Sequence, residues 1–267
     1  MTAVFESAIE LSYAWLPVIG FVVGLLATMV GGNGAFFFPP TLILLFQVSP
    51  RVAVATSLAA VIPIGLVGSF EHFRRKNINL PVAIVFGSAG FAGALLGAWI
   101  SGIIDPATLV KTFGIYSIIL GLVTLHIPKS KPAGTIPPPA VFADIGQRQL
   151  VLVLFFGLIA GLVAGLFGTS GTAPVLAALF ILHFPVKLVI GTSVLIVFIN
   201  ALSGFGGHLF MGEIDLQLIL LLGSGAAAGA FVGPRLLAYV KPERKEGPVR
   251  YIFAAIIILM GVALVIW

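Results

Sequence analysis

The chain has 267 residues, of which 60% are hydrophobic and 9% charged, with a formal net charge of +5 and no cysteine. Soluble domains carry about a quarter charged residues, and several apolar runs here reach the roughly 20 residues needed to cross a bilayer, so the composition indicates a polytopic membrane protein. It excludes disulfides and cysteine-ligated metals, and the short basic loops offer no exposed basic face for nucleic acid.

Ten apolar segments follow one another, five in each half. In the first half they cover 11–30, 35–48, 52–70, 80–103 and 107–127, and in the second 150–167, 172–184, 186–206, 214–238 and 248–267. As a helix, 35–48 is about 21 Å long, short of the roughly 30 Å hydrocarbon core. Each half therefore predicts a broken, re-entrant helical hairpin followed by three transmembrane helices, an all-α membrane fold.

Two glycine-rich breaks form the predicted hairpin tips. We call residues 31–34 (Gly-Gly-Asn-Gly) the first tip and residues 168–171 (Gly-Thr-Ser-Gly) the second tip. A break inside a bilayer exposes backbone N–H and C=O groups, so it survives only where protein, water or a ligand supplies partners. Paired breaks in the two halves of a membrane protein indicate the binding site of a transporter.

The two halves resemble each other. A shift of 136 residues places Thr56-Ser57 on Thr192-Ser193, Gly68 on Gly204 and His72 on His208. A duplication divides the chain into a first repeat at 1–127, a Pro-rich linker at 128–149 and a second repeat at 150–267. Gly-x-x-x-Gly pairs outside the tips, such as Gly93 and Gly97, are expected to pack helices.

Loop charges predict the orientation. The positive-inside rule places the loop at 74–76, the linker and the loop at 241–250 in the cytoplasm, whereas the acidic stretch 212–215 faces outward. Five segments per half is an odd number, so the repeats must be inverted, with both termini periplasmic.

The tips are expected to meet near the bilayer midplane, where freed N–H groups and helix dipoles suit a small oxyanion. Hydroxyls of the duplicated Thr-Ser pairs and the mid-segment carboxamide of Asn200 are candidates to line the path, although hydroxyls also bond back to helix carbonyls. The predicted substrate-binding residues are Gly32, Asn33, Gly34, Thr56, Ser57, Gly168, Thr169, Ser170, Gly171, Thr192, Ser193 and Asn200.

His72 and His208 lie at the loop ends of equivalent segments. They are candidates for gating or proton-linked groups, because imidazole titrates near neutral pH, and interfacial anchoring is the alternative. We predict no catalytic residue, metal or cofactor, since the chain lacks metalloprotease, nucleophile-elbow and Walker patterns and shows no clear mid-membrane carboxylate.

The order and duplication of these motifs resemble the TauE/SafE sulfite exporter family over about residues 15–265. The resemblance rests on both tips, their following prolines, and the sequences Ala55-Thr56-Ser57 and Gly191-Thr192-Ser193. It implies a secondary transporter in the bacterial inner membrane that exports sulfite or an organosulfonate such as sulfoacetate.

The expected partners are a small anionic substrate and membrane lipid, and no nucleic acid is expected. Assembly into a homo-oligomer is possible. An inside-negative potential favours anion export by about 2.3 kcal/mol per charge per 100 mV, so no coupling ion is required. The alternatives are a carrier or channel for another small anion or for a neutral solute. An intramembrane enzyme is a less favoured alternative.

Overall fold

The computed structural model describes residues 3–5, 11–29, 33–126, 145–211, 213–237 and 246–267. Gly31, Gly32 and most of the linker lie outside these residues, and of Asn33 only the backbone is described. The α-helices are α1 (Leu16–Met29), α2 (Phe38–Phe46), α3 (Pro50–Arg74), α4 (Leu80–Ile103), α5 (Pro106–His126), α6 (Gln147–Phe167), α7 (Thr172–Ile181), α8 (Val186–Met211), α9 (Leu216–Leu237) and α10 (Glu246–Ile266).

The predicted all-α membrane fold is confirmed. Six helices within the described ranges are long and apolar enough to cross a membrane: α3, α4, α5, α6, α8 and residues 216–233 of α9. α6 is therefore a full-length span, whereas α1, with 14 residues, extends only about 21 Å.

One feature was not predicted, a pair of three-residue parallel strands. β1 (Ala3–Phe5) pairs with β2 (Glu213–Asp215). The pairing places the N-terminal segment at the end of the molecule where α9 begins, the end that the charge pattern assigns to the outside.

Both predicted hairpins contain a helix, a break and a shorter helix. α1 leads through the first tip into a 3₁₀ helix (Asn33–Phe37) and then α2, and α6 leads through the second tip into α7. Each hairpin folds back on its own first helix, because a Cβ added at Gly34 would lie 2.7 Å from the nitrogen of Ala27, and one added at Gly171 would clash with the carbonyl of Ala160.

The helices pair between the halves. α1 packs against α9 and α6 against α4, while α3 packs against α8 and α5 against α10. Exchanging α1–α5 with α6–α10 reproduces the same four pairs, as a duplication requires. α3 and α8 run antiparallel, since Leu58 lies opposite Gly204 and Val194 opposite Gly68. This arrangement supports the inverted repeat, which stays a prediction.

Glycines set the distance between these paired helices. A Cβ at Gly93 or Gly161 would clash with backbone carbonyls of the partner helix, at Leu158 and Gly90 respectively. The prediction that the Gly-x-x-x-Gly pair at Gly93 and Gly97 packs helices is therefore confirmed.

We expect Gly161→Ala to lower the free energy of unfolding by about 1–3 kcal/mol, because the added methyl must separate α6 from α4. Gly223→Ala is the matched control, since a Cβ there meets no atom within 4 Å. That change should be neutral or stabilising by up to about 1 kcal/mol through helix propensity. Melting temperatures of both variants in one detergent test this, and equal shifts would contradict the packing role.

The inverted repeat predicts that equivalent positions face opposite sides of the membrane. Arg74 and Phe210, 136 residues apart, are both exposed near the ends of α3 and α8. In this cysteine-free chain, Arg74→Cys should react with an impermeant thiol reagent only from the cytoplasmic side, and Phe210→Cys only from outside. Labelling of both variants in detergent shows that each cysteine can react with the reagent. Labelling of both cysteines from the same side of the membrane would reject the inverted repeat.

Candidate functional site

The second tip is a tight turn that glycine permits. Gly168 (φ +71°) ends α6 and Gly171 (φ +59°) precedes α7, and both lie in the left-handed region that disfavours other residues. A Cβ at Gly168 would also lie 2.7 Å from the Cα of Val54 on α3. The tip of the second half therefore packs directly on the third helix of the first half.

The polar atoms of this tip are buried and uncharged. Thr169 is 1% exposed, and its Oγ1 has no hydrogen-bond partner within the described part of the chain. Thr172 donates to the Oγ of Ser170 over 2.6 Å. α7 begins after Gly171 without a side-chain cap, so its first N–H groups are open to a ligand.

His208 holds the end of α6. The amide of Gly168 donates to the carbonyl of Ala164, whereas the Nε2 of His208 lies 2.9 Å from the carbonyl of Gly165. With the proton on Nε2, the buried imidazole donates to a carbonyl in the last turn of the broken helix. The sequence-predicted gating residue thus lies in the support of the second tip.

His72 lies on the equivalent helix of the first half, toward the first tip. It is 8% exposed, and its Nδ1 has no partner among the described residues. One turn earlier, Gly68 faces both Val194 and the methyl of Thr28, near the end of α1. The two histidines therefore lie on opposite sides of the α3–α8 crossing.

The Thr-Ser pairs are buried, and three of their four hydroxyls form hydrogen bonds with the backbone. Ser57 donates to the carbonyl of Ala53 over 2.6 Å, and Ser193 donates to that of Ile190 over 2.9 Å. Thr192 accepts the backbone N–H of Asn79, which fixes the start of α4.

Two of the predicted polar residues keep unused hydrogen-bonding atoms. The Oγ1 of Thr56 and both amide atoms of Asn200 are buried without a partner in the described part of the chain. Asn200 lies against Gly90 of α4, where a Cβ would collide with its Oδ1. A buried, unpartnered carboxamide is costly, so Asn200 stays a candidate for a polar path.

The contacts on α3 differ between the second tip and the helix that leads into the first tip. The second tip contacts Val54, whereas Thr28, near the end of α1, contacts Gly68. Gly31 and Gly32 lie outside the described residues, so the expectation of a single site between the two tips stays a prediction.

An aromatic cluster that sequence reasoning missed connects the flanks of the tips. We use this name for Phe36, Phe113, Tyr116 and Phe167. Phe36 contacts Phe113 with ring centroids 5.4 Å apart, and Phe113 stacks on Phe167 at 5.2 Å. The phenylalanines beside each tip were the available signal.

The space beside the cluster is narrow. A crevice next to the second tip has a volume of about 10 Å³ and apolar walls, formed by Pro39, Ile43, Pro50, Val54, Leu109, Val110, Phe113 and Phe167. That volume holds at most about one water molecule. The crevice is therefore too small for an anion in this conformation.

Sequence reasoning also missed a buried carboxylate, Asp215. It is 2% exposed, and its Oδ1 accepts the N–H groups of Gln217 (3.0 Å) and Leu218 (3.3 Å) at the start of α9. The equivalent residue after a shift of 136 is Asn79, which caps α4 through the N–H of Val82. The carboxylate thus serves as a helix cap. The described residues contain no cluster of three or more metal-ligating side chains.

Comparisons with known proteins decide the family. Residues 16–264 match the family described as Sulfite exporter TauE/SafE. The chain belongs to the TauE/SafE family. It is similar to the Probable membrane transporter protein YdhB of Bacillus subtilis (30% identity, 80% of this chain and 86% of that protein).

Two other relatives cover almost the whole TauE/SafE chain. YunE of Bacillus subtilis is 25% identical over 96% of this chain and 98% of its own length, and MJ0441 of Methanocaldococcus jannaschii is 24% identical over 92% of each. Both are named as probable membrane transporter proteins. The chain is thus a transporter of this family, and the enzyme alternative has no support.

In this TauE/SafE protein, His208→Phe should lower the free energy of unfolding by about 1–3 kcal/mol, because the ring remains but the carbonyl of Gly165 loses its donor. His208→Gln keeps an N–H donor and should lose less. Thermal unfolding of the two variants beside the parent measures the difference. If both variants unfold like the parent, the bond does not hold the tip.

Proposed function

We propose that the chain is a secondary transporter that exports a small sulfur-containing anion, sulfite or an organosulfonate, across the bacterial inner membrane. The observation that carries this proposal is the second tip. There an uncapped helix start lies beside the hydroxyl of Thr169, which has no partner in the described part of the chain, and the hydroxyl of Ser170, which accepts from Thr172. Sulfite and sulfonate groups have several acceptor oxygens, which such donors match.

The first tip supplies the second part of the proposed route. Phe36, two residues after Gly34, and Phe167, directly before Gly168, both contact Phe113, so we infer that the two tips approach the same route. Gly32, Asn33 and Gly34 remain proposed contacts at the first tip. The second tip packs on Val54 in the third helix of the first half, so movement between the halves would change access to it.

The aromatic cluster is the proposed barrier along this route. Its rings connect the flank of the first tip to Phe167, the residue directly before the second tip. The narrow crevice beside Phe113 and Phe167 corresponds to an occluded state. Separation of these rings would open the second tip toward the end where α3 begins, which the charge pattern assigns to the periplasm.

The electrical gradient supports export as the direction. An anion leaving a cell with a negative interior releases about 2.3 kcal/mol per charge per 100 mV, so a buried carboxylate for proton coupling is not required. Asp215, the buried carboxylate found near a helix end, is bonded to the backbone N–H groups of α9. Both termini are proposed to lie in the periplasm, which the pairing of β1 with β2 supports for the N-terminal segment.

Removing one donor at the second tip should weaken anion binding. We expect Thr169→Val and Ser170→Ala each to reduce the affinity for sulfite by about 1–3 kcal/mol, the usual range for a hydrogen bond to a charged group. Isothermal titration of detergent-purified protein measures this. Ser88→Ala is the control, because the exposed Ser88 donates to the carbonyl of Val85 within α4 and lies outside the proposed route.

If the parent protein binds sulfite and the folded tip variants bind it equally well, the second tip is excluded as the binding site. Absence of binding and of flux for every sulfur anion tried in the parent would reject the proposed substrate class.

A further inference from the structure

The charge available at the second tip limits the charge of its ligand. Resting on the proposed function, we infer that the transported species is a monoanion, hydrogensulfite or a singly charged sulfonate, and that dianions are rejected. The inference selects within the proposed substrate class, because sulfite and sulfoacetate both carry two charges when fully ionised.

The donors of the tip match one negative charge. Thr169, Ser170 and Thr172 are all at most 3% exposed and are uncharged. The start of α7 contributes the equivalent of about half a positive charge through the helix dipole. Together these groups can replace the hydration of a single charge more readily than that of two.

One basic side chain, that of Arg51, lies close in sequence to Val54 and keeps its positive charge, and its buried Nε has no partner in the described part of the chain. Arg51, three residues before Val54, directs its Nη2 at the carbonyls of Gly102 (3.0 Å) and Ile104 (3.2 Å) at the end of α4. His208 lies on the carbonyl of Gly165. The remaining charged or titratable side chains of α3, α6 and α8 that the structure describes lie at the far ends of those helices: Glu71, His72, Arg74, Arg148 and Lys187.

The route beyond the tip adds no charge. α4 and α7 contain no charged residue, and Lys111 on α5 is exposed. The aromatic cluster presents rings with electron-rich faces. Because the Born cost of desolvation grows with the square of the charge, a dianion costs about four times as much to carry past these rings as a monoanion of the same size.

Sulfur chemistry makes this distinction measurable. Hydrogensulfite loses its proton near neutral pH, so pH changes the charge of the substrate. Methanesulfonate carries one charge and ethane-1,2-disulfonate two at every pH from 6 to about 9. A carrier of hydrogensulfite removes one negative charge and one proton together in each cycle, without a proton site on the protein.

The test uses the full chain in proteoliposomes under a fixed electrical potential. We expect sulfite flux to fall with rising pH in step with the hydrogensulfite fraction, by about tenfold per pH unit well above the pKa of hydrogensulfite. Methanesulfonate flux should stay constant over the same range, and it should be inhibited by hydrogensulfite but not by ethane-1,2-disulfonate.

Three results would overturn the inference. Sulfite flux that does not change with pH would show that the dianion is carried. Inhibition of methanesulfonate flux by the disulfonate as strong as that by hydrogensulfite would show that the site accepts a dianion. Parallel loss of sulfite and methanesulfonate flux would place the titrating group on the protein, and His208→Gln would then test that group. Absence of flux for every sulfur anion at every pH would instead reject the proposed function, on which the inference rests.

Discussion

A helix that ends inside a membrane must find partners for its last carbonyls and for the first N–H groups of the helix that follows. In the second hairpin the last carbonyls of α6 find partners within the protein, namely the amide of Gly168 and the imidazole of His208. The N–H side has no side-chain cap. A broken helix satisfied at one end and open at the other is suited to a ligand with acceptor oxygens.

That arrangement depends on close packing between the two halves. The second tip can contact Val54 because α6 approaches α4 closely enough for Gly161 to meet the carbonyl of Gly90. Lipid does not drive helices together as water does, so close van der Waals contact and hydrogen bonds must hold them. Each hairpin therefore packs against a helix of the opposite half, α1 against α9 and α6 against α4.

The apolar segments and the charges of the sequence predicted the positions of the helices well, because the helices end close to charged residues, Pro or Gly. The segment predicted at 80–103 is α4 itself, and that at 186–206 was too short because α8 continues to Met211. The polar residues of the second tip were also predicted. The contact of the second tip with Val54 was not predicted, because it depends on how the hairpin packs on α3. The burial of Asp215 was not predicted either, because loop composition does not reveal that this side chain caps α9.

The two halves share the same order of helices but not the same residues around their tips. With the 137-residue shift that aligns the tips, Phe36 corresponds to Ala173 and Phe167 to Val30. The hydroxyl-bearing tip belongs to the second half, whereas Phe36, Phe113 and Tyr116 of the aromatic cluster belong to the first. In the proposed transporter the second half provides the hydrogen-bond donors and the first half most of the apolar barrier. An anion carrier needs both, because donors without a barrier would leave an open leak and a barrier without donors would leave the anion's charge unsolvated.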